Sequence, residues 1–172
     1  DLNDFFVFAI GRPVKDLAGA PYGGSRFPVE ARMAGRTFAL FHLDVAAGDP
    51  VLEPVEIIQG GDWLGFAGLP SIGFPSISKE QQFAEKLHAY TLPRKDRPNT
   101  RVRDLLDMFL LIRAGMSAQL LRDAVKSVFK ARKTHDVPVS LEPPPSSWEK
   151  PFTALAEACG LSETMNEAFD RV

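Results

Sequence analysis

The order of hydrophobic patterns along the chain predicts an α+β fold: a small mixed or antiparallel sheet followed by a helical bundle. Three observations carry this. Apolar residues recur with strand periodicity up to about residue 46, a Pro/Gly-rich stretch spans 48–76, and helical periodicity with capping residues takes over after Ser78. The domain expectation follows: 1–76 as the sheet portion of a truncated domain, 77–172 as a helical portion packed on it.

The chain opens with Asp1-Leu2-Asn3-Asp4 and enters the run Phe5-Phe6-Val7-Phe8-Ala9-Ile10 at once, with no initiator Met. That opening predicts a start inside something larger. Residues 5–10 are short, aromatic and β-branched, which suits a buried strand. Residues 26–33 alternate, with Phe27, Val29, Ala31 and Met33 on one face. Ala34-Gly35 reads as a hairpin turn. The partner strand, 36–46, has Ala39, Phe41, Leu43 and Val45 on one face and Phe38, Leu40, His42 and Asp44 on the other. Apolar residues on both faces predict a central strand covered on both sides. Residues 48–76 read mostly as connection, with a short strand at 55–58.

Ser78 predicts the cap of a helix over 79–91, with Gln81 as its capping-box partner and Phe83, Leu87 and Tyr90 as the apolar stripe. Thr100 predicts the cap of a second helix over 101–113, whose inner face is Val102, Leu105, Leu106 and Phe109 and whose end is Gly115. Ser117 starts a third over 118–132. Residues 138–147, with Pro143-Pro144-Pro145, must be extended, and two short helices follow near 148–158 and 162–171.

The 172 residues are 45% hydrophobic and 24% charged, as in a soluble globular domain. A formal charge of −2 gives no global field to recruit nucleic acid or an anionic membrane. Cys159 is the only cysteine, so no internal disulfide forms, which fits a reducing cytoplasm. No apolar run of membrane-spanning length and no signal-peptide pattern occurs in the sequence.

Three places break the local pattern. Asp44 sits mid-strand, where a carboxylate must be paired or bind a metal. Arg32 or Arg36 on the neighbouring strand would provide the ion pair, and both readings stay open. Lys86 borders the apolar stripe of its helix, as a snorkelling lysine or as a point charge aimed at a phosphate chain. Arg101, Arg103, Asp104 and Asp107 crowd one helix start. A surface pair between Arg103 and Asp107 is the plain account, worth a few tenths of a kcal/mol. A general base, Asp104, beside phosphate-binding cations is the functional one.

Other features carry less. Gly23-Gly24-Ser25 lacks the Lys-Ser/Thr of a phosphate loop. His42, His88 and His135 show no metal-ligand spacing. Cys159 reads as a small core residue of an amphipathic helix, and Lys126, Lys130, Arg132 and Lys133 as a solvated face more than an RNA contact.

Together these stretches resemble the AbiEii-type nucleotidyltransferase toxins, a branch of the polymerase-beta-like superfamily. The resembling segments are FPVEARMAGRTFALFHLDVAAGD (27–49), SISKEQQFAEKLHAYT (76–91), NTRVRDLLDMFLLI (99–112) and the closing part from His135 through Trp148 and Phe152. Its specificity lies in the ordered set: an Asp in a strand, Ala-Glu-Lys-Leu in a helix, then Thr-Arg-Val-Arg-Asp-Leu-Leu-Asp opening the next.

The resemblance implies Mg²⁺-dependent transfer of a nucleotide from an NTP to an RNA, such as tRNA, or to a protein acceptor, within a toxin–antitoxin or abortive-infection system. By it, Asp44 would be the third carboxylate of the metal site, Lys86 a catalytic residue and triphosphate contact, and Asp104 the catalytic aspartate. Arg103 would stand where many members have Lys, beside Arg101 as phosphate-binding cations, with Asp107 a second, structural aspartate. The family's Gly-Ser turn and Asp-x-Asp pair are not in the sequence, so the chain is expected to be a fragment that lacks them and is inactive alone. Other readings are a protein-interaction module, for example for an antitoxin, or another nucleotide-binding phosphotransferase.

Overall fold

The computed structural model describes residues 5–17, 22–94 and 97–172 and has the α+β composition expected. It divides into two compact units, Asp1–Pro50 with Ile57–Phe74, and Val51–Glu56 with Pro75–Val172. Among the described residues no helix is long and apolar enough to cross a membrane.

The first unit is built on an antiparallel sheet of β1 (Phe6–Ile10), β2 (Lys15–Asp16), β3 (Gly24–Met33) and β4 (Arg36–Ala46). Strand β3 is central, with β4 along one edge and β1 and β2 end to end along the other. The β3–β4 hairpin turns at Ala34-Gly35 as predicted. Both residues have positive φ, +49° and +74°, the twist that two-residue hairpins favour. Phe38 is the extra residue of a bulge where pairing steps from Ala31–Ala39 to Arg32–Thr37.

The burial expected of β1 and β4 is not found. Both strands are exposed, β4 lies at a sheet edge among the described residues, and only Val29 and Ala31 of this sheet are buried hydrophobics. Alternation records which side chains can be buried, and no described layer of this unit covers these strands. Two short strands, β5 (Glu56–Gln59) and β6 (Gly73–Ser76), pair with each other in the Pro/Gly-rich region, where one strand at 55–58 was expected.

The second unit is helical: α1 (Lys79–Thr91), α2 (Val102–Arg113), α3 (Ala118–Arg132), α4 (Glu149–Ala158) and α5 (Met165–Phe169). Its core joins Phe83, Leu87 and Tyr90 of α1 with Leu105, Leu106, Met108 and Phe109 of α2, and with Phe129, Trp148, Phe152 and Met165. Burying a side chain of this kind contributes roughly 1.5–3 kcal/mol. Helix α1 packs against both α2 and α3, and α2 also meets α4 and α5.

Capping explains most boundaries. Ser78 Oγ accepts from Gln81 N and Ser117 Oγ from Leu120 N. Only half of the expected capping box forms at Ser78, because Gln81 turns its Oε1 to the N–H of Leu52 at 2.9 Å. Thr100 does not cap α2. Arg101 holds the cap position, and Asn99 Oδ1 accepts from Arg101 N at 3.1 Å. Gly115, at φ +79°, follows the end of α2 as expected. Buried Glu80 accepts from Ser117 N at 2.7 Å and so ties the first turn of α1 to the start of α3. Cys159 is exposed at the end of α4 and is not a core residue.

Candidate functional site

The helical unit carries an open cavity of about 1060 Å³ at the start of α2. The loop that ends α1 and opens α2 supplies Arg94, Arg97 and Arg101. Helix α1 supplies Lys86, and α2 supplies Arg103, Asp104 and Asp107. Among the described residues, five cationic side chains against two carboxylates leave a formal excess of three positive charges. A concave site of one sign focuses the field on a counter-charged ligand.

Helix register brings these groups together. Asp104 and Asp107 stand three residues apart on one face of α2, and Lys86 reaches both from α1. Lys86 Nζ lies 2.6 Å from Asp107 Oδ2 and 3.3 Å from Asp104 Oδ1. The expected Arg103–Asp107 pair is therefore replaced by Lys86–Asp107. Burial alone would lower the Lys86 pKa, but the hydrogen bond to Asp107 and the charges of both aspartates outweigh it, so the ammonium is held above its ordinary value.

Asp104 is the buried member, its side chain 8% exposed, and it lies in the first turn of α2 where the helix dipole favours a carboxylate. Its Oδ2 has Arg101 Nη1 at 3.3 Å but no aligned hydrogen bond. Asp104 lines the cavity, while this oxygen itself is buried and keeps spare acceptor capacity.

Arg94 and Arg97 were not singled out from the sequence. The signal was there in a basic, proline-flanked linker, Pro93-Arg94 and Arg97-Pro98, directly before a helix start. Arg94 donates to Ala89 O at 2.9 Å and Leu92 O at 3.3 Å, so it also closes the carbonyl end of α1. Burial and then the nearby Arg101 lower its pKa, with Asp104 opposing. Cations pressed together in this way are relieved by an anion.

Asp44, the remaining expected site residue, belongs to the sheet unit. Its cross-strand partner is Arg26, in place of the expected Arg32 or Arg36. Arg26 Nε meets Oδ1 and Nη2 meets Oδ2, both at 2.7 Å. The Arg26 hydrogen bond holds the Asp44 carboxyl below its usual range. Arg32 pairs with Glu30. Both Asp44 oxygens accept from Arg26, and no group of three or more His, Cys, Asp or Glu suited to a metal ion occurs among the described residues.

A second polar cluster joins His88 and His135, whose rings lie 4.7 Å apart. Thr134 Oγ1 sits 2.7 Å from His88 Nε2 and 3.0 Å from His135 Nδ1. Burial, then the neighbouring His135 and Arg132, pushes His88 down to about 4. Within the basic stretch 126–133, Arg132 turns inward to Glu85 at 2.9 Å.

The family model described as nucleotidyl transferase AbiEii toxin, type IV TA system, matches residues 1–172. No curated protein matches the chain.

Proposed function

The chain belongs to the AbiEii nucleotidyl transferase toxin family of type IV toxin–antitoxin systems, and from this premise we propose that the cavity at the start of α2 receives the phosphate chain of a nucleoside triphosphate. One observation carries the reading: Lys86, Arg94, Arg97, Arg101 and Arg103 line the same cavity as Asp104 and Asp107. Guanidinium groups bind phosphate oxygens in pairs, and Lys86 adds a compact point charge.

Nucleotidyl transfer joins an acceptor hydroxyl oxygen to the α-phosphorus and breaks the bond to pyrophosphate, while the hydroxyl proton goes to a base. Lys86, Arg101 and Arg103 would balance the negative charge that grows on the leaving phosphates. Asp104 would orient the acceptor hydroxyl and take its proton, since it lines the same cavity as the cations. Asp107 holds Lys86 in place. The acceptor is an RNA or a protein hydroxyl, and the partner is a cognate antitoxin. Among the described residues no group of three or more His, Cys, Asp or Glu could hold a metal ion, and these roles are assigned to the chain's own groups.

Titration of the protein with nucleoside triphosphates tests this. Saturable binding that falls at least about tenfold in Arg101→Glu, and falls further with added salt, is expected. Equal affinity in the variant and the parent protein would remove the basis for the reading.

A further inference from the structure

Arg94 and Arg97 face two cavities. Besides the main cleft they line a second one of about 610 Å³, whose far wall is the extended arm carrying Pro138, Ser140, Glu142 and Pro143. Ligand pockets commonly fall between about 300 and 1,000 Å³.

The second cavity is held open by bonds between its walls. Tyr90 Oη donates to Glu142 O at 3.0 Å, Asn99 Nδ2 donates to Tyr90 O at 3.0 Å, and Trp148 Nε1 donates to Asn99 O at 3.1 Å. The loop before α2 and the proline arm are thus tied through buried Tyr90 and Trp148. Proline-rich extended chain is stiff, so little ordering is left for a ligand to impose.

The lining changes character across the two arginines. The main cleft is dominated by cations. The second cavity offers apolar proline rings, the Ser140 hydroxyl and the Glu142 carboxylate. The Glu142 charge lies near enough to add to the burial that pushes Tyr90 up to about 12. A carboxylate accepts hydrogen bonds only and repels a phosphodiester. It suits a group rich in N–H and O–H donors, with a flat face to lie on proline: a nucleobase and its ribose.

We propose that this second cavity holds the nucleoside of the same nucleotide whose phosphates occupy the main cleft, with Arg94 and Arg97 at the junction and Glu142 and Ser140 as base- or ribose-recognising groups. The proposal rests on the polyphosphate reading of the main cleft. It makes the proline arm the part of the molecule that distinguishes one nucleotide from another.

Calorimetric titration with ATP, GTP, CTP and UTP, and separately with inorganic tripolyphosphate, tests it on the parent protein and on Ser140→Trp, Glu142→Gln and Arg101→Glu. At least one nucleotide should bind the parent protein more tightly than tripolyphosphate. Ser140→Trp should weaken that nucleotide about tenfold or more and leave tripolyphosphate within about twofold, which also reports an intact fold. Glu142→Gln should change the order of preference among the four nucleotides. Nucleotide affinity unchanged in both arm variants overturns the proposal, as does a loss confined to an RNA acceptor, which would give the cavity to the acceptor strand. Tripolyphosphate binding indifferent to Arg101→Glu would instead sink the polyphosphate reading.

Discussion

Lys86 Nζ stands 2.6 Å from Asp107 Oδ2, closer than to Asp104 at 3.3 Å, although Asp104 is the more buried of the two carboxylates. The contact nearest to solvent is therefore the shorter one, and the deeper carboxylate keeps an oxygen without an aligned donor.

Unequal costs follow for the two sides of this cluster. Asp107→Asn removes a partly exposed partner and should change stability by less than about 1 kcal/mol. Lys86→Met leaves buried Asp104 with Arg101 alone, and should cost on the order of 1–3 kcal/mol. Urea unfolding of the two variants checks the order. Asp107→Asn as the more damaging change would contradict the assignment of Asp104 as the buried, dependent group.

Arg94 and Arg97 share the cavity but not their other duties. Arg94 bonds the carbonyls of Ala89 and Leu92 at the end of α1, and among the described residues Arg97 makes no such bond. Arg94→Ala should lower both unfolding stability, by about 1 kcal/mol, and phosphate binding. Arg97→Ala should lower binding alone. Parallel denaturation and tripolyphosphate titration would separate them, and a stability loss in Arg97→Ala equal to that in Arg94→Ala would refute the division.

The helices were legible because each is specified locally. Ser78 and Ser117 announce starts, Gly115 an end, and the stripe Phe83–Leu87–Tyr90 a buried face, so α1 and α3 fall on their predicted residues. Long-range facts were not legible. Nothing in the spacing of Asp44 says that Arg26, eighteen residues earlier, lies opposite it. That depends on hairpin register set by the turn at Ala34-Gly35. Exposure of β4 was missed for a related reason, since alternation reports residue type and not the presence of a covering layer. Lys86 and Asp104 were picked out one by one. That they meet required the packing of α1 on α2, and Arg94 and Arg97 became visible only when that packing outlined a cavity.

Acid sensitivity should come from the histidine pair. His88 is held down to about 4, first by burial and then by His135 and Arg132, against an ordinary value of 6.5. Burial also lowers His135, with Asp136 opposing. A depressed folded-state pKa means that the unfolded chain takes the proton first as pH falls. The stability is therefore complete above pH 6.5 and drains away towards pH 4. By linkage the loss at pH 5 relative to pH 7 is about 1–2 kcal/mol. His88→Asn should flatten this slope between pH 7 and pH 5, above the range where carboxylates titrate. Denaturant midpoints that fall equally in the variant would show that His88 is not the group responsible.

Ala34 occupies the first position of the hairpin turn with φ +49°, a conformation that L-residues other than Asn, Asp and Gly adopt at a cost. Gly35 follows at φ +74° and meets no atom that would obstruct a Cβ, so the demand at both positions comes from the backbone and not from crowding. Ala34→Asn places the residue that tolerates this region best in front of the glycine, giving the pair that two-residue hairpins prefer. The β3–β4 hairpin should gain about 0.5–1 kcal/mol, and the backbone amides paired between Val29 and Phe41 should exchange with solvent roughly two to five times more slowly. Gly35→Val should do the reverse and by more, because a β-branched residue is the one least able to take positive φ. Exchange rates at Val29 and Phe41 that ignore both substitutions would mean that the turn does not govern the register which brings Arg26 onto Asp44.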